Sequence, residues 1–258
     1  MKGSVLVTGG ARRIGLAICE ELSARGWNVL SHSRDPENPL ASDFAKCDAA
    51  ADRLFAAALE AAPDLCAIVN NAAVFSKAAE LPPDEAKALW SVNVAVPVRL
   101  TELLAAHLAA RHAAGAVVNL LDTRILGGSR DHRDHRDHRD HRDHRDHREC
   151  REIFGEKGLD PYSESKLALA RATVEQARIL APTLRVNGVA PGPVLPPTDP
   201  ANREKGGDIL LPRRPTPSDV ASAVAFLLEA DAVTGQVLAV DSGQSLTQLP
   251  VDVSTSVL

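Results

Sequence analysis

Tyr162 and Lys166 stand four residues apart in Tyr162-Ser163-Glu164-Ser165-Lys166. On a helix that spacing puts both side chains on one face. An ammonium beside a phenol favours the phenolate and lowers its pKa from about 10. The pair would then be a proton donor and acceptor usable near neutrality. Such pairs also occur as surface decoration, but Tyr162 is the sole tyrosine in the chain.

A second group is Thr8-Gly9-Gly10-Ala11-Arg12-Arg13-Ile14-Gly15, which follows the apolar run Ser4-Val5-Leu6-Val7 and precedes a helical pattern. Glycines between a strand and a helix let the backbone turn tightly and approach a pyrophosphate, which the helix N-terminus attracts. A glycine-rich turn alone is weak evidence; this strand-turn-helix setting predicts dinucleotide binding. Which dinucleotide depends on the end of the second strand, Ser31-His32-Ser33-Arg34. A ribose with free hydroxyls wants a carboxylate there, and a 2′-phosphate wants cations. Ser33 stands where the carboxylate would be, and Arg34 follows it. With Arg12 or Arg13 adding a second charge, the expected cofactor is NADP(H). Asp35 could pair with Arg34 and blunt that preference, and Arg34 read alone is an ordinary loop cation.

The elements that must position these groups alternate along the chain. Short apolar runs at 4–7 and 66–69 read as buried strands, those at 29–30, 116–121, 185–189 and 237–240 read as further strands, and Phe44 to Cys47 reads as another. Helical spacing runs over 14–24, 50–62, 85–111 (one or two helices), 162–180 and 218–228, with Gly26 and Pro63 as stops. Alternating strands and helices predict an α/β fold, a doubly wound, Rossmann-like parallel sheet in a single domain spanning 1–258. Its ligand would lie beyond the carboxyl ends of the strands.

Composition agrees with that reading. The chain has 258 residues, 45% hydrophobic and 24% charged, with a net charge of −5. The apolar share is too high for a mainly disordered chain. A pI near 6.0 argues against a dedicated nucleic-acid binder. No unbroken apolar run is long enough to span a bilayer, and residues 1–7 lack the apolar stretch of a signal peptide. Cys19, Cys47, Cys66 and Cys150 form no CxxC pair, so no disulfide framework or zinc site is expected and a reducing cytoplasm is the default.

One segment breaks the alternation. Residues 130–148 repeat Arg-Asp-His six times and end on a further Arg, holding six of the nine histidines. A three-residue period spirals histidines around a helix rather than gathering them on a face. With nothing apolar to bury, the segment reads as a solvated insertion tolerated in a surface loop. Histidine runs can bind Zn²⁺ or Ni²⁺, and Arg-Asp repeats can touch RNA; both remain minor prospects. Residues 196–211 are bounded by Pro and Gly, which suits a mobile lid.

Taken together, these residues resemble the short-chain dehydrogenase/reductase family. The likeness includes Thr8 to Gly15, Asp48, Asn70-Asn71-Ala72-Ala73, Asn93, Tyr162 with Lys166, Pro191-Gly192, and Thr234-Gly235-Gln236 before Val240-Asp241. The resemblance implies cofactor contacts from Thr8, Gly9, Arg12, Arg13, Ile14, Gly15, Ser33, Arg34, Asp48 (near the adenine), Asn71, Ala72, Lys166, Pro191 and Gly192. It implies that Asn93 supports a proton-relay water and that Lys166 binds the nicotinamide ribose. It also implies a homotetramer.

Three departures sharpen it. Arg13 replaces the second glycine of the family's turn. Asp122 stands where the family has its catalytic serine. The asparagine motif runs on to Val74-Phe75. Together they look like the pteridine reductase branch, in which the aspartate is catalytic, the phenylalanine stacks on the pterin, and the arginine contacts phosphate and pterin. Chemistry supports this independently. A pterin C=N bond needs a proton delivered to nitrogen, which a carboxylic acid kept neutral in an apolar pocket can supply, and Phe75 offers a flat apolar face. The plain alternatives are an inactive site at Asp122, a core Phe75 and a turn-capping Arg13. The expected activity is NADPH-dependent reduction of a pterin or folate-like C=N bond, with Asp122, Tyr162, Lys166 and Asn93 catalytic and Arg13, Phe75, Asp122 and Tyr162 on the substrate. No metal, nucleic acid or membrane partner is expected. The rivals are a ketone or oxoacyl reductase of the same family and a non-catalytic NADP-binding scaffold.

Overall fold

The computed structural model describes residues 2–46, 49–76, 78–126, 159–194 and 209–248. Asp48, the Arg-Asp-His insertion at 130–148 and most of the expected lid lie outside the described residues. Six parallel strands form one sheet in the order β2-β1-β3-β4-β5-β6. They are β1 (Ser4–Val7), β2 (Asn28–Ser31), β3 (Leu65–Asn70), β4 (Gly115–Leu120), β5 (Leu184–Pro191) and β6 (Val237–Val240). The helices are α1 (Arg13–Ala24), α2 (Ala50–Ala61), α3 (Pro83–Trp90), α4 (Val96–Ala110), α5 (Pro161–Leu180) and α6 (Pro217–Glu229).

The central strands β1, β3, β4 and β5 are buried on both faces, as continuous apolar strands require, whereas the edge strands β2 and β6 are partly exposed. Alternate strand residues divide between two cores. Leu6, Ile68, Val117 and Val186 pack with α2 and α4 on one side. Val5, Val7, Val69, Val118 and Val189 pack with Ile18 and Leu22 of α1 and Val220 and Val224 of α6 on the other. Leu6 is fully buried, so Leu6→Ala would cost about 2–5 kcal/mol through lost burial and a cavity. The chain passes from β1 to β2 on one side and returns from β2 across β1 to β3 on the other. The crevice beyond their carboxyl ends is therefore the switch point of the sheet.

Two local differences from the sequence reading have physical causes. Phe44 to Lys46 form a turn rather than a strand, because the Phe44 ring stacks on His32 and its carbonyl accepts from the Ser91 hydroxyl at 2.8 Å. The helical stretch at 85–111 is α3 and α4 joined by a π-helical turn, Ser91–Ala95. Pro97 offers no N–H to the Asn93 carbonyl one turn back, which loosens the ladder there. The combined helix Pro83–Ala110 has the length and hydropathy of a membrane span, but half of its most apolar window is buried inside the protein. Leu100, Leu104 and Leu108 are part of the core, so it reads as a core helix.

A buried chain of amides fixes the ends of the central strands. Asn70 of β3 donates to Asn119 of β4 at 2.8 Å, and Asn119 donates to Thr173 of α5 at 2.9 Å. Asn71 and Asp122, just past those ends, are thereby set at fixed places on the crevice. Helix α5 starts sharply because the Asp160 carboxylate accepts the Ser163 N–H at 2.9 Å and Pro161 follows it. That start places Tyr162 in the first turn.

Candidate active site

The glycine turn is braced from β3. The Thr8 hydroxyl accepts the N–H groups of Asn71 and Ala72, each at 3.0 Å. Asn71 in turn donates to the carbonyls of Thr8 and Gly9, also at 3.0 Å. A Cβ on Gly15 would lie 2.1 Å from the Gly9 carbonyl oxygen, so only glycine permits this approach of helix to turn. Gly9 has φ +66° and Arg13 φ +54°. Arg13 thus occupies a left-handed position that favours glycine. Ile14 packs onto the α1 core.

A cleft of ≈ 690 Å³ runs along this turn to Tyr162. Gly9, Arg12, Arg13, Ile14, Gly15, Ser33, Arg34, Asn71, Ala72, Phe75 and Tyr162 all line it. A side pocket holds Arg12, Ser33 and Arg34 together with Asp35 and Asp43. Asp35 turns its carboxylate to the Glu37 N–H at 3.1 Å, and among the described residues it forms no ion pair with Arg34. Asp43 pairs with Lys46 at 3.4 Å. The two arginines and Ser33 suit a 2′-phosphate, and the glycine cradle suits a pyrophosphate. These residues fit a dinucleotide. Pro191 and Gly192 end β5 on the far side; Gly192 donates to the Val240 carbonyl at 3.0 Å, and the Pro191 carbonyl accepts from Thr123 at 3.4 Å.

At the inner end, Tyr162 donates its hydroxyl proton to Asp122 Oδ2 at 3.2 Å. Asp122 caps a short 3-10 turn, Thr123–Ile125, by accepting the Arg124 N–H at 3.0 Å. Lys166 is almost wholly buried, and its ammonium donates to the Leu120 carbonyl at 2.7 Å. Asn93 uses both amide hydrogens and its carbonyl oxygen locally. It pairs with the Val74 backbone at 2.8 and 2.9 Å and donates to Ser165 at 3.0 Å. It therefore holds the Val74-Phe75 segment against α5. Phe75 is 49% exposed, so it is not a core residue, and its ring meets Tyr162 edge to face at 4.8 Å.

The expected ionisation of Tyr162 is reversed. Burial and the charge of Asp122 push its pKa up, outweighing the opposite pull of Arg124. Lys166 does not offset this: its Nζ is 5.9 Å from the ring centroid. Burial pushes Lys166 itself down to about 8, with Asp122 pulling the other way. Tyr162 is thus held as a neutral phenol hydrogen-bonded to Asp122 rather than resting as phenolate.

Two contributors were not foreseen from sequence. Arg124 lays its guanidinium 5.1 Å from the Phe75 centroid and 5.5 Å from that of Tyr162, with Nε 3.7 Å from Asp122. It follows Asp122 by two residues, which was its only available signal. His32 is buried between the glycine turn and the 42–44 loop; a polar residue leaving a buried strand was the available hint.

A dinucleotide cradle at the switch point, with tyrosine and lysine one helical turn apart at its inner end, defines a short-chain oxidoreductase. Residues 3–121 match the short chain dehydrogenase family, and residues 151–245 match the family described as enoyl-(acyl carrier protein) reductase. The short-chain dehydrogenase/reductase homolog YusR of Bacillus subtilis is 41% identical over 90 residues, 33% of this chain and 70% of that protein. The chain belongs to the short-chain dehydrogenase/reductase family. Within it, the dihydromonapterin reductase of Klebsiella pneumoniae is 27% identical over 262 residues, covering 94% of this chain and 96% of that one. Among solved structures, FolM alternative dihydrofolate reductase 1 from Brucella canis, complexed with NADP, is 28% identical with a TM-score of 0.69 and covers 98% of both chains.

Proposed function

We propose that this protein is an NADPH-dependent reductase of a C=N bond in a pterin or folate-like ring. The observation that carries the reading is the Tyr162–Asp122 hydrogen bond beside the exposed ring of Phe75. The bound cofactor supplies a hydride to the C=N carbon. Arg12, Ser33 and Arg34 would hold its 2′-phosphate, and Lys166 its nicotinamide ribose. Phe75 offers a flat face on which a fused heteroaromatic ring would stack, and Arg13, which lines the same cleft, would contact phosphate and ring. Tyr162 is protonated at neutral pH and delivers its proton to the ring nitrogen; Asp122 holds the phenol in line and relays the replacement proton. The relatives named for dihydromonapterin and dihydrofolate reduction support the substrate class. The proposed setting is the cytoplasm, as a homotetramer, for which light scattering at micromolar concentration is the check.

The test is turnover of NADPH against a panel of dihydropterins, dihydrofolate, simple ketones and acyl thioesters. Tyr162→Phe should lower kcat at least about a hundredfold, and Asp122→Asn should impair dihydropterin reduction with NADPH affinity near normal. Ketone or thioester turnover alone, indifferent to Asp122→Asn, would replace the reading with an oxoacyl reductase. NADPH binding with no turnover on any substrate would leave the scaffold reading.

A further inference from the structure

We propose that His32 is a positioning residue for the adenosine half of the cofactor, clamping the glycine turn to the opposite wall of the cleft. The proposal rests on the NADP(H) reading above. His32 leaves the end of β2 with only 2% of its surface exposed. Its Nδ1 lies 3.2 Å from the Gly9 nitrogen, whose N–H donates to it. Nδ1 must then carry no hydrogen, which puts the proton on Nε2. Nε2 is 3.1 Å from both the carbonyl and the hydroxyl oxygens of Ser42. The ring also stacks on Phe44, with centroids 4.5 Å apart and planes 17° from parallel.

The backbone of His32 completes the joint. Its carbonyl accepts the Gly10 N–H at 2.9 Å. One residue thus holds two successive N–H groups of the turn, Gly9 by its side chain and Gly10 by its backbone. Gly9, Ser42 and Phe44 all line the cleft, as do Ser33 and Arg34, which follow His32 directly. Releasing the ring would free the walls that set the cleft's width and the direction of the 2′-phosphate contacts. Burial pushes the ring's pKa down, so the neutral imidazole that this joint requires persists at neutral pH.

Plain core packing is the competing account, and variants separate the two. His32→Phe keeps an aromatic ring on Phe44 but removes both side-chain hydrogen bonds. His32→Asn places an oxygen near the Nδ1 position and can accept from Gly9, whereas His32→Gln reaches toward Ser42. The probes are NADPH, adenosine 2′,5′-bisphosphate and reduced nicotinamide mononucleotide, measured by titration calorimetry. His32→Phe should weaken NADPH and the bisphosphate in parallel by about tenfold, the scale of losing the buried hydrogen bond from the Gly9 N–H. Binding of the mononucleotide should stay at the wild-type level, and His32→Asn should recover most of the loss. Wild-type affinity for the bisphosphate in His32→Phe would overturn the proposal, as would equal weakening of both halves. If His32→Phe does not fold, the comparison moves to His32→Asn against His32→Gln; equal bisphosphate affinities there would overturn it. A wild-type protein that binds neither NADPH nor the bisphosphate would instead overturn the cofactor reading, and this proposal with it.

Discussion

Replacing Arg13 with glycine should make the protein more stable and a poorer enzyme. Arg13 sits at φ +54°, where a side chain costs about 1–2 kcal/mol against the following carbonyl. Glycine escapes that cost but loses more backbone freedom on folding, by roughly 0.5–1 kcal/mol. The net gain is then roughly 0.5–1 kcal/mol, which in a chain of this size raises Tm by about 1–4 °C. Arg13 lines the cleft from this strained position, and a strained non-glycine residue at a ligand site motivates a functional reading. Losing a charge-assisted contact costs about 1.5–3 kcal/mol, or roughly ten- to a hundredfold in affinity. Arg13→Ala is the control, because it keeps the left-handed backbone and loses the same guanidinium. Thermal unfolding should separate the two variants, glycine above alanine, while NADPH titration and the KM for a dihydropterin should show both weakened alike. A glycine variant no more stable than the alanine variant would refute the strain argument. Wild-type binding in both would refute the functional one.

Arg34→Asp should erase a preference for NADPH over NADH, read by fluorescence titration, because it sets a carboxylate beside Ser33 in the pocket that Arg12 shares. Lys166→Met should abolish turnover yet stabilise the fold at neutral pH. Between about 8 and the ordinary 10.5, the unfolded chain holds a proton that native Lys166 has released. Wild-type stability therefore rises with pH across that window, and denaturant unfolding should show the methionine variant's advantage shrinking there; a constant gap would contradict the cause. Replacing residues 130–148 with a short Gly/Ser linker should leave NADPH affinity and kcat unchanged, since β4 and α5 are joined through Asn119 and Thr173. Loss of binding on excision would make the segment structural, and stoichiometric zinc lost with it would make it a metal site.

The alternation of strands and helices was legible because the strand runs are short and apolar and most end at or near a glycine or a polar residue. The observed β1 and β6 coincide with the runs read from sequence. The strand read at Phe44–Cys47 failed for a tertiary reason, since Phe44 is spent on His32 and Ser91. The close approach of Gly15 to Gly9 was legible because it is local in sequence, whereas the brace from Asn71, 62 residues from Gly9, came only with the family resemblance.

The inner end of the cleft was legible only through family resemblance, and its electrostatics were misread. Spacing of i and i+4 places Lys166 on the face of Tyr162 but says nothing of where its ammonium ends. The Leu120 carbonyl, 46 residues away in sequence, takes it at 2.7 Å. Asp122, which spacing could not bring near, is what the phenol meets, 40 residues apart in sequence. A sequence pattern encodes direction along an element, whereas a pKa depends on distance and burial across elements. That is why the residue types were readable and the sign of the Tyr162 shift was not. The reversal also changes the chemistry that the residues support. A phenolate waiting beside an ammonium would suit withdrawal of a proton from an alcohol. A neutral phenol carries the proton that reduction of a C=N bond places on the ring nitrogen, but its raised pKa makes it the weaker acid, so the basicity of the ring nitrogen must drive the transfer.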